Sequence, residues 1–125
     1  MGSPVVHFEI IGKNPEKLHD YYGELFGWQF HVGDALSEEV SAPGRYGFVD
    51  GSTTGGINGG VGGGAGRENA VLVYIGVPKV EEALAKAESL GGKRVLGPVT
   101  APGGDFVVAQ FTDPEGNLIG LAGSE

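Results

Sequence analysis

The feature that most constrains this chain is a pattern of β-rich runs, helical periodicity and glycine stops that occurs twice. In each half, a β-rich run precedes an amphipathic helix that ends at glycine, and three further β-rich runs follow. When the chain is compared with itself, Ile10 matches Ile75, 65 residues later. Self-similarity at a fixed spacing is typical of repeated structural units. The sequence therefore predicts an internal duplication, in which two β-α-β-β-β modules, residues 1–62 and 68–125, form a single domain of 125 residues.

The first module begins with a strand and a helix. Residues 5–11 are rich in β-branched and aromatic side chains, and Asn14 then offers a helix cap with Pro15 at the first helical position. Apolar side chains spaced as on one helix face, including Tyr21 and Leu25, continue to a stop at Gly27 and are expected in the core. Two more strands are predicted at residues 28–32 and 45–50, separated by a polar, acidic loop at 33–44.

A glycine-rich segment closes the first module. The chain contains 25 glycines, and eight of them lie between Gly55 and Gly66. Glycine weakens a strand because it loses much conformational freedom on folding and has no side chain to pack. This segment is therefore predicted to hold at most one short and poorly packed strand, the weakest of the chain.

The second module repeats the order of the first. A strand is predicted at residues 70–77, and Val80 begins an amphipathic helix that is closed by Gly91 and Gly92. Turns are predicted at Pro102-Gly103 and at Asp113–Asn117, because Pro, Gly, Asp and Asn favour turn conformations. Three further strands are predicted at residues 94–96, 106–111 and 117–121.

Composition narrows the classes of function. Eight basic against sixteen acidic residues give a net charge of −8, which repels nucleic acid. No apolar run approaches the roughly 18–20 residues that cross a bilayer, and the N-terminus lacks the basic and apolar regions of a signal peptide. We therefore expect a cytoplasmic protein without nucleic-acid or membrane partners. Because the chain has no cysteine, any metal must be held by His, carboxylate or amide groups.

Four segments, spread over nearly the whole chain, carry a family resemblance. They are His7 in the opening strand, the helix end Tyr21–Trp28, the Gly91-Gly92-Lys93 stop and the segment Phe111–Asn117. The combination resembles the vicinal oxygen chelate superfamily of glyoxalases, bleomycin resistance proteins and extradiol dioxygenases. The resemblance implies an α+β fold in which two βαβββ modules form a curved mixed sheet around a shared cavity, where a divalent metal usually sits. Fold alone does not determine the chemistry.

The resemblance also implies four metal-ligand positions, a His or Gln and a Glu from each module. His7 matches the first position, but its counterpart 65 residues later is Leu72. Gly120 stands where the resemblance places the Glu of the last strand, and the remaining position falls near Asn58. A divalent cation needs several convergent donors. No cofactor is therefore expected, and a divalent metal held by other residues is the alternative.

His7 and Glu9 are two residues apart in one predicted strand, so their side chains point to the same face, about 6.5 Å apart. One interpretation is a catalytic acid–base pair. A second is a divalent metal site completed by His31. The third is structural: His7 is a hydrogen-bonded histidine that lines the cavity, and Glu9 is a solvated or capping carboxylate. His19 falls on the polar side of the first helix and is expected at the surface.

The resemblance and the missing ligands together predict a protein that binds a small molecule in the sheet cavity without the usual metal. Pockets combine apolar walls with a few polar groups. Five aromatic residues are candidates for this lining, and each is also a candidate for ordinary core: Trp28, Phe30, Tyr46, Tyr74 and Phe111. The alternatives are a lyase, isomerase or dioxygenase of the same superfamily, and a non-catalytic interaction module. Family members often pair, so a homodimer is expected.

Overall fold

The computed structural model describes residues 2–101 and 104–125 and contains eight strands and two helices in these residues. The elements are β1 (Val5–Gly12), α1 (Pro15–Phe26), β2 (Phe30–Gly33), β3 (Tyr46–Val49), β4 (Asn58–Gly63), β5 (Ala70–Gly76), α2 (Val80–Ser89), β6 (Lys93–Thr100), β7 (Val107–Thr112) and β8 (Leu118–Gly123). The predicted turn at Pro102-Gly103 lies outside the described residues. Within the described ranges, neither helix is long and apolar enough to cross a membrane.

The chain divides into two compact units. The first unit is residues 7–71, and the second consists of residues 1–6 with residues 72–125. In the first unit the strands follow the order β2-β3-β4-β1, and in the second the order β5-β8-β7-β6. The pairs β1–β4 and β5–β8 are parallel, whereas the other pairs within each unit are antiparallel. The predicted α+β class and the β-α-β-β-β order of both modules are confirmed.

Helix α1 begins and ends where the sequence predicts. The Asn14 side chain accepts a hydrogen bond from the backbone N–H of Lys17, and Pro15 occupies the first turn. Gly27 has a φ of 72°, a left-handed conformation that other residues rarely adopt, and its N–H donates to the carbonyl of Gly23. These capping interactions join residues close in sequence, which is why the sequence alone predicts them.

The two faces of α1 differ from the prediction. Tyr21 and Leu25 are expected in the core, but both are more than half exposed. His19 is expected at the surface, but it is half-buried: its Nε2 donates to the carbonyl oxygen of Val61 at 2.7 Å, and its ring centroid lies 4.7 Å from that of Phe30. The surface prediction for His19 is wrong because the helix turns this ring toward β4, where a backbone carbonyl accepts its proton.

Strand β4 is the main departure from the sequence prediction. It has six residues, of which five are buried, and it pairs with β1 on one side and β3 on the other. Its glycines make room for rings from these neighbours. A Cβ placed on Gly59 would lie 1.9 Å from Cε1 of Phe8, and one placed on Gly60 would lie 1.9 Å from Oη of Tyr46. The prediction of a weak, poorly packed strand is therefore wrong, because side chains of the adjacent strands pack over β4.

The core of the second unit forms where α2 packs on β7 and β8. Val80 and Leu84 of the helix are fully buried against three strand residues, Val107, Ala109 and Leu121. The turn before β8 forms as predicted, because Oδ1 of Asp113 accepts hydrogen bonds from the backbone N–H groups of Glu115 and Asn117. The turn orients β8 for its antiparallel pairing with β7.

One close backbone approach occurs in both units. A Cβ placed on Gly63, at the end of β4, would lie 1.9 Å from the carbonyl oxygen of Gly12. A Cβ on Gly123, at the end of β8, would lie 2.2 Å from the carbonyl oxygen of Val77. In each unit, the last strand meets the end of the first strand at a separation that only glycine permits. Gly63 also has a φ of 127°, so a side chain there would be strained as well as crowded.

We expect Gly63→Ala to lower the free energy of unfolding by more than about 2 kcal/mol, because the new methyl group collides with a backbone carbonyl that cannot rotate away. Gly33→Ala is the matched control, since a Cβ there meets nothing within 4 Å. Urea unfolding of both variants measures the difference. Equal stability of the two variants would contradict this account of the end of β4.

Candidate functional site

A buried chain of hydrogen bonds links β1 to β3 in the first unit. His7 and Glu9 are two residues apart on β1 and therefore lie on the same face. The Tyr46 hydroxyl stands between them: it donates to Oε2 of Glu9 at 2.7 Å and lies 3.0 Å from Nε2 of His7. The two residues predicted as a pair are thus joined through a third side chain.

Glycines in β4 allow Tyr46 to reach this position. Strand β4 lies between β3 and β1, and its register pairs Gly60 with Glu9. Because Gly60 and Gly62 have no side chains, the Tyr46 ring can cross over the strand; Cβ atoms on these two glycines would lie 1.9 and 2.7 Å from atoms of the tyrosine. A side chain that starts on β3 therefore contacts groups on β1, two strands away.

Burial sets the protonation state of His7. Desolvation lowers the pKa of His7 from its usual 6.5 to about 4, so the imidazole is neutral at pH 7. The phenol of Tyr46 has one proton and donates it to Glu9, so the neutral imidazole meets the phenol oxygen with its Nε2–H. Glu9 itself is only 4% exposed. The interpretation of Glu9 as a solvated carboxylate is wrong, because the Tyr46 hydroxyl takes the place of water.

A comparable crossing occurs in the second unit. Tyr74 of β5 is paired with Gly120 of β8, and a Cβ on Gly120 would lie 2.3 Å from Cδ2 of the tyrosine ring. The Tyr74 hydroxyl accepts a hydrogen bond from Nε2 of Gln110 on β7 at 2.8 Å. Sequence reasoning misses Gln110. The available signal is that Gln110 is the one polar residue in the apolar run at 106–111.

The other three predicted aromatic residues take part in helix packing. The ring centroid of Trp28 lies 5.1 Å from that of Phe8, and Phe30 packs on His19 of α1. Phe111 packs against the core beneath α2. The structure therefore brings Tyr46 together with His7 and Glu9, and it brings Trp28, Phe30 and Phe111 to the helices.

Phe48 extends the His7 cluster toward solvent. It follows Tyr46 by two residues on β3 and so shares its face. The two ring centroids are 4.8 Å apart, and Phe48 is 42% exposed. Sequence reasoning misses Phe48, although its alternation with Tyr46 is a usable signal. The cluster therefore has a buried polar end and an aromatic end that is open to water.

The donor set does not fit the metal site that the family resemblance implies. Register pairs Glu9 with Gly60 in the first unit and Tyr74 with Gly120 in the second. Glu9 and Tyr74 are themselves 65 residues apart, so Gly60 is the counterpart of Gly120, two residues beyond the expected Asn58. Glycine offers no side-chain donor at either position. Two of the four implied ligands are therefore missing in addition to the one at Leu72.

His31 does not complete a different metal site with His7 and Glu9. It is an exposed residue of β2 whose register partner is Phe48. In the described ranges 2–101 and 104–125, no three His, Asp or Glu side chains are grouped so that they could hold a metal ion. The described residues thus provide hydrogen-bonding groups at this site, and they do not provide a converging set of cation ligands.

Comparison with solved structures shows this fold in proteins of low sequence identity. A methylmalonyl-CoA epimerase variant from Streptomyces coelicolor, in complex with 2-nitronate-propionyl-CoA, has a TM-score of 0.69 at 15% identity, with 98% of this chain and 97% of the epimerase covered. Protein BH1468 from Bacillus halodurans also gives 0.69 at 15% identity, covering 100% and 96%. The Mn(II)-bound glyoxalase from Novosphingobium aromaticivorans gives 0.63 at 14%, covering 98% of this chain and 39% of the glyoxalase. These likenesses extend to the fold alone.

The family assignment comes from the sequence. Comparison with curated proteins found no match. The model of one family matches residues 5–121, which begins with β1 and reaches into β8. This match spans nearly the whole chain and confirms the resemblance inferred from the sequence. The chain belongs to the Glyoxalase/Bleomycin resistance protein/Dioxygenase superfamily.

Proposed function

We propose that this chain is a cytoplasmic member of the superfamily that binds a small organic molecule, without a metal ion, at the face formed by His7, Glu9 and Tyr46. The observation that carries the proposal is the covering of Gly60 by the Tyr46 ring, at a position where the family resemblance implies a metal ligand. A neutral imidazole, a phenol and a buried carboxyl group remain there as hydrogen-bonding groups. Small-molecule pockets place a few such groups beside apolar walls.

The neighbouring residues favour a particular ligand chemistry. The partly exposed ring of Phe48, beside Tyr46, offers a flat apolar surface to an aromatic or conjugated molecule. The buried carboxyl group of Glu9 disfavours an anionic group nearby and favours a hydrogen-bond donor. We therefore expect an uncharged or weakly basic aromatic ligand that carries a hydroxyl, amide or amine group.

A lyase or isomerase activity at the same face is the second candidate. The Glu9 carboxyl group in a hydrogen-bonded chain with Tyr46 and His7 favours it, because a positioned carboxylate can accept a proton from a substrate. Neutral His7, with a pKa of about 4, is a poor proton donor at pH 7. Turnover of a bound ligand that survives treatment with EDTA and is lost in Glu9→Gln would favour this candidate over binding alone.

Tyr46→Phe is expected to weaken ligand binding at least about tenfold, because it removes the hydroxyl that joins His7 and Glu9 and keeps the ring over Gly60. A calorimetric screen of small aromatic and heteroaromatic compounds supplies the ligand. Tyr22→Phe is the matched control, because Tyr22 belongs to α1. The proposal fails if the screen yields no ligand tighter than millimolar, or if Tyr46→Phe binds as tightly as the wild type.

The lowered pKa of His7 predicts a loss of stability in acid. The unfolded chain binds a proton at this residue below pH 6.5, whereas the folded chain resists protonation down to about pH 4, so stability falls as the pH falls through this window. We expect wild type to lose about 3 kcal/mol more than His7→Gln between pH 7 and pH 4. Urea unfolding at both pH values measures this. His31→Gln, at an exposed position, should behave as wild type. Identical acid responses of His7→Gln and wild type would refute the assignment.

We also propose that the chain forms a homodimer through α1, since Tyr21, Leu25 and Phe26 expose apolar area on this helix. Light scattering of wild type is expected to give twice the chain mass, and Leu25→Glu is expected to give the monomer mass. Leu90→Glu is the control, because Leu90 is equally exposed and follows the other helix. A monomeric wild type would exclude the dimer. A dimer that binds no ligand would instead favour the interaction-module alternative.

A further inference from the structure

A separate cavity lies in the first unit where β1 ends and α1 begins. Its volume is about 590 Å³, within the range of pockets that hold small molecules. Its apolar walls come from three elements, with Ile10 on β1, Leu18 on α1 and Val71 at the start of β5. The described residues that line it belong to 10–22 and 69–71, so it does not share the His7, Glu9 and Tyr46 face. It is therefore distinct from the site of the proposed function.

Two lysines give this cavity a positive rim. Lys13 and Lys17 both line it, and the described lining residues include no Asp or Glu, although the chain has sixteen acidic residues. Across residues 2–101 and 104–125, the salt bridges involve Arg45 and Arg94 and neither of these lysines. Their ammonium groups are therefore uncompensated by a neighbouring carboxylate. In a chain of net charge −8, they create a local field that attracts an anion.

The same cavity leaves apolar surface exposed to water. Val71 is 78% exposed and Tyr21 is 58% exposed. Covering such surface with an apolar ligand is favourable by about 25 cal/mol for each Å² removed from water. The methylene chains of lysine can lie along an apolar surface while the ammonium groups stay in water. An apolar floor beside a cationic rim is complementary to a molecule that has an apolar body and an anionic head.

We propose that this cavity binds a small amphiphilic anion. The anionic head lies between the ammonium groups of Lys13 and Lys17, and the apolar body lies against Leu18 and Val71. The Asn14 carboxamide oxygen already accepts a hydrogen bond from the backbone of Lys17 as the helix cap, so the two lysines supply the charge recognition. Selectivity for an anion over its neutral analogue distinguishes this site from the His7 face, which favours an uncharged or weakly basic molecule.

Octanoate and its neutral analogue octanamide test the proposal by NMR titration of the full chain. We expect octanoate to give saturable shifts of backbone amide resonances at residues 12–18 and 69–71. Octanamide should bind at least tenfold more weakly, because it lacks the charge. Equal affinities for the two compounds, shifts confined to other residues, or no saturable shift with octanoate would overturn the proposal.

Charge variants test the residues assigned to the head group. The double variant Lys13→Gln with Lys17→Gln is expected to weaken octanoate binding at least tenfold, and Val71→Glu should have a similar effect through repulsion. Lys79→Gln is the matched control, because Lys79 immediately precedes α2 as an exposed lysine. Tyr46→Phe should leave octanoate binding unchanged, so failure at one site is distinguishable from failure at the other. Unchanged octanoate affinity in the double lysine variant would overturn the assignment.

Discussion

Tyrosine rings that cross a glycine position in the last strand organise both units. Tyr46 crosses β4 at Gly60 in the first unit, and Tyr74 crosses β8 at Gly120 in the second. Each ring supplies the apolar contact that the glycine lacks, and each hydroxyl ends beside a buried polar side chain. One residue thus satisfies both close packing and hydrogen bonding in the interior of its unit. Strand β4 can be buried despite its glycines because of this arrangement.

The two crossings run in opposite directions through the same strand order. Tyr46 starts on the third strand of its module and reaches the first, where it meets His7 and Glu9. Tyr74 starts on the first strand and reaches the third, where it meets Gln110. Two modules of equal topology therefore carry different polar chemistry. The first combines an imidazole with a carboxyl group, which can bind and exchange protons, whereas the second holds an amide, which cannot titrate.

Local signals in the sequence predict the elements, and long-range contacts determine what they bury. Asn14 and Gly27 bound α1 through contacts within a few residues, so the pattern is readable from the chain alone. The strand period likewise places His7 and Glu9 on one face. The link through Tyr46 depends on the register of β4 between two other strands, and the bond from His19 depends on a carbonyl 42 residues away. Composition suggested a weak strand because it does not reveal which rings lie over the glycines.

The covered glycine also constrains how this chain can evolve. A carboxylate introduced at Gly60 needs a Cβ where the Tyr46 hydroxyl lies, so the ring must leave before a new ligand can be accommodated. Loss of the tyrosine first removes the proton that it donates to buried Glu9. Either order of the two changes passes through a less stable protein, and the two substitutions are not additive. Tyr74 and Gly120 are coupled in the same way. Descent from a metal-binding ancestor, or return to one, therefore requires paired substitutions in each module.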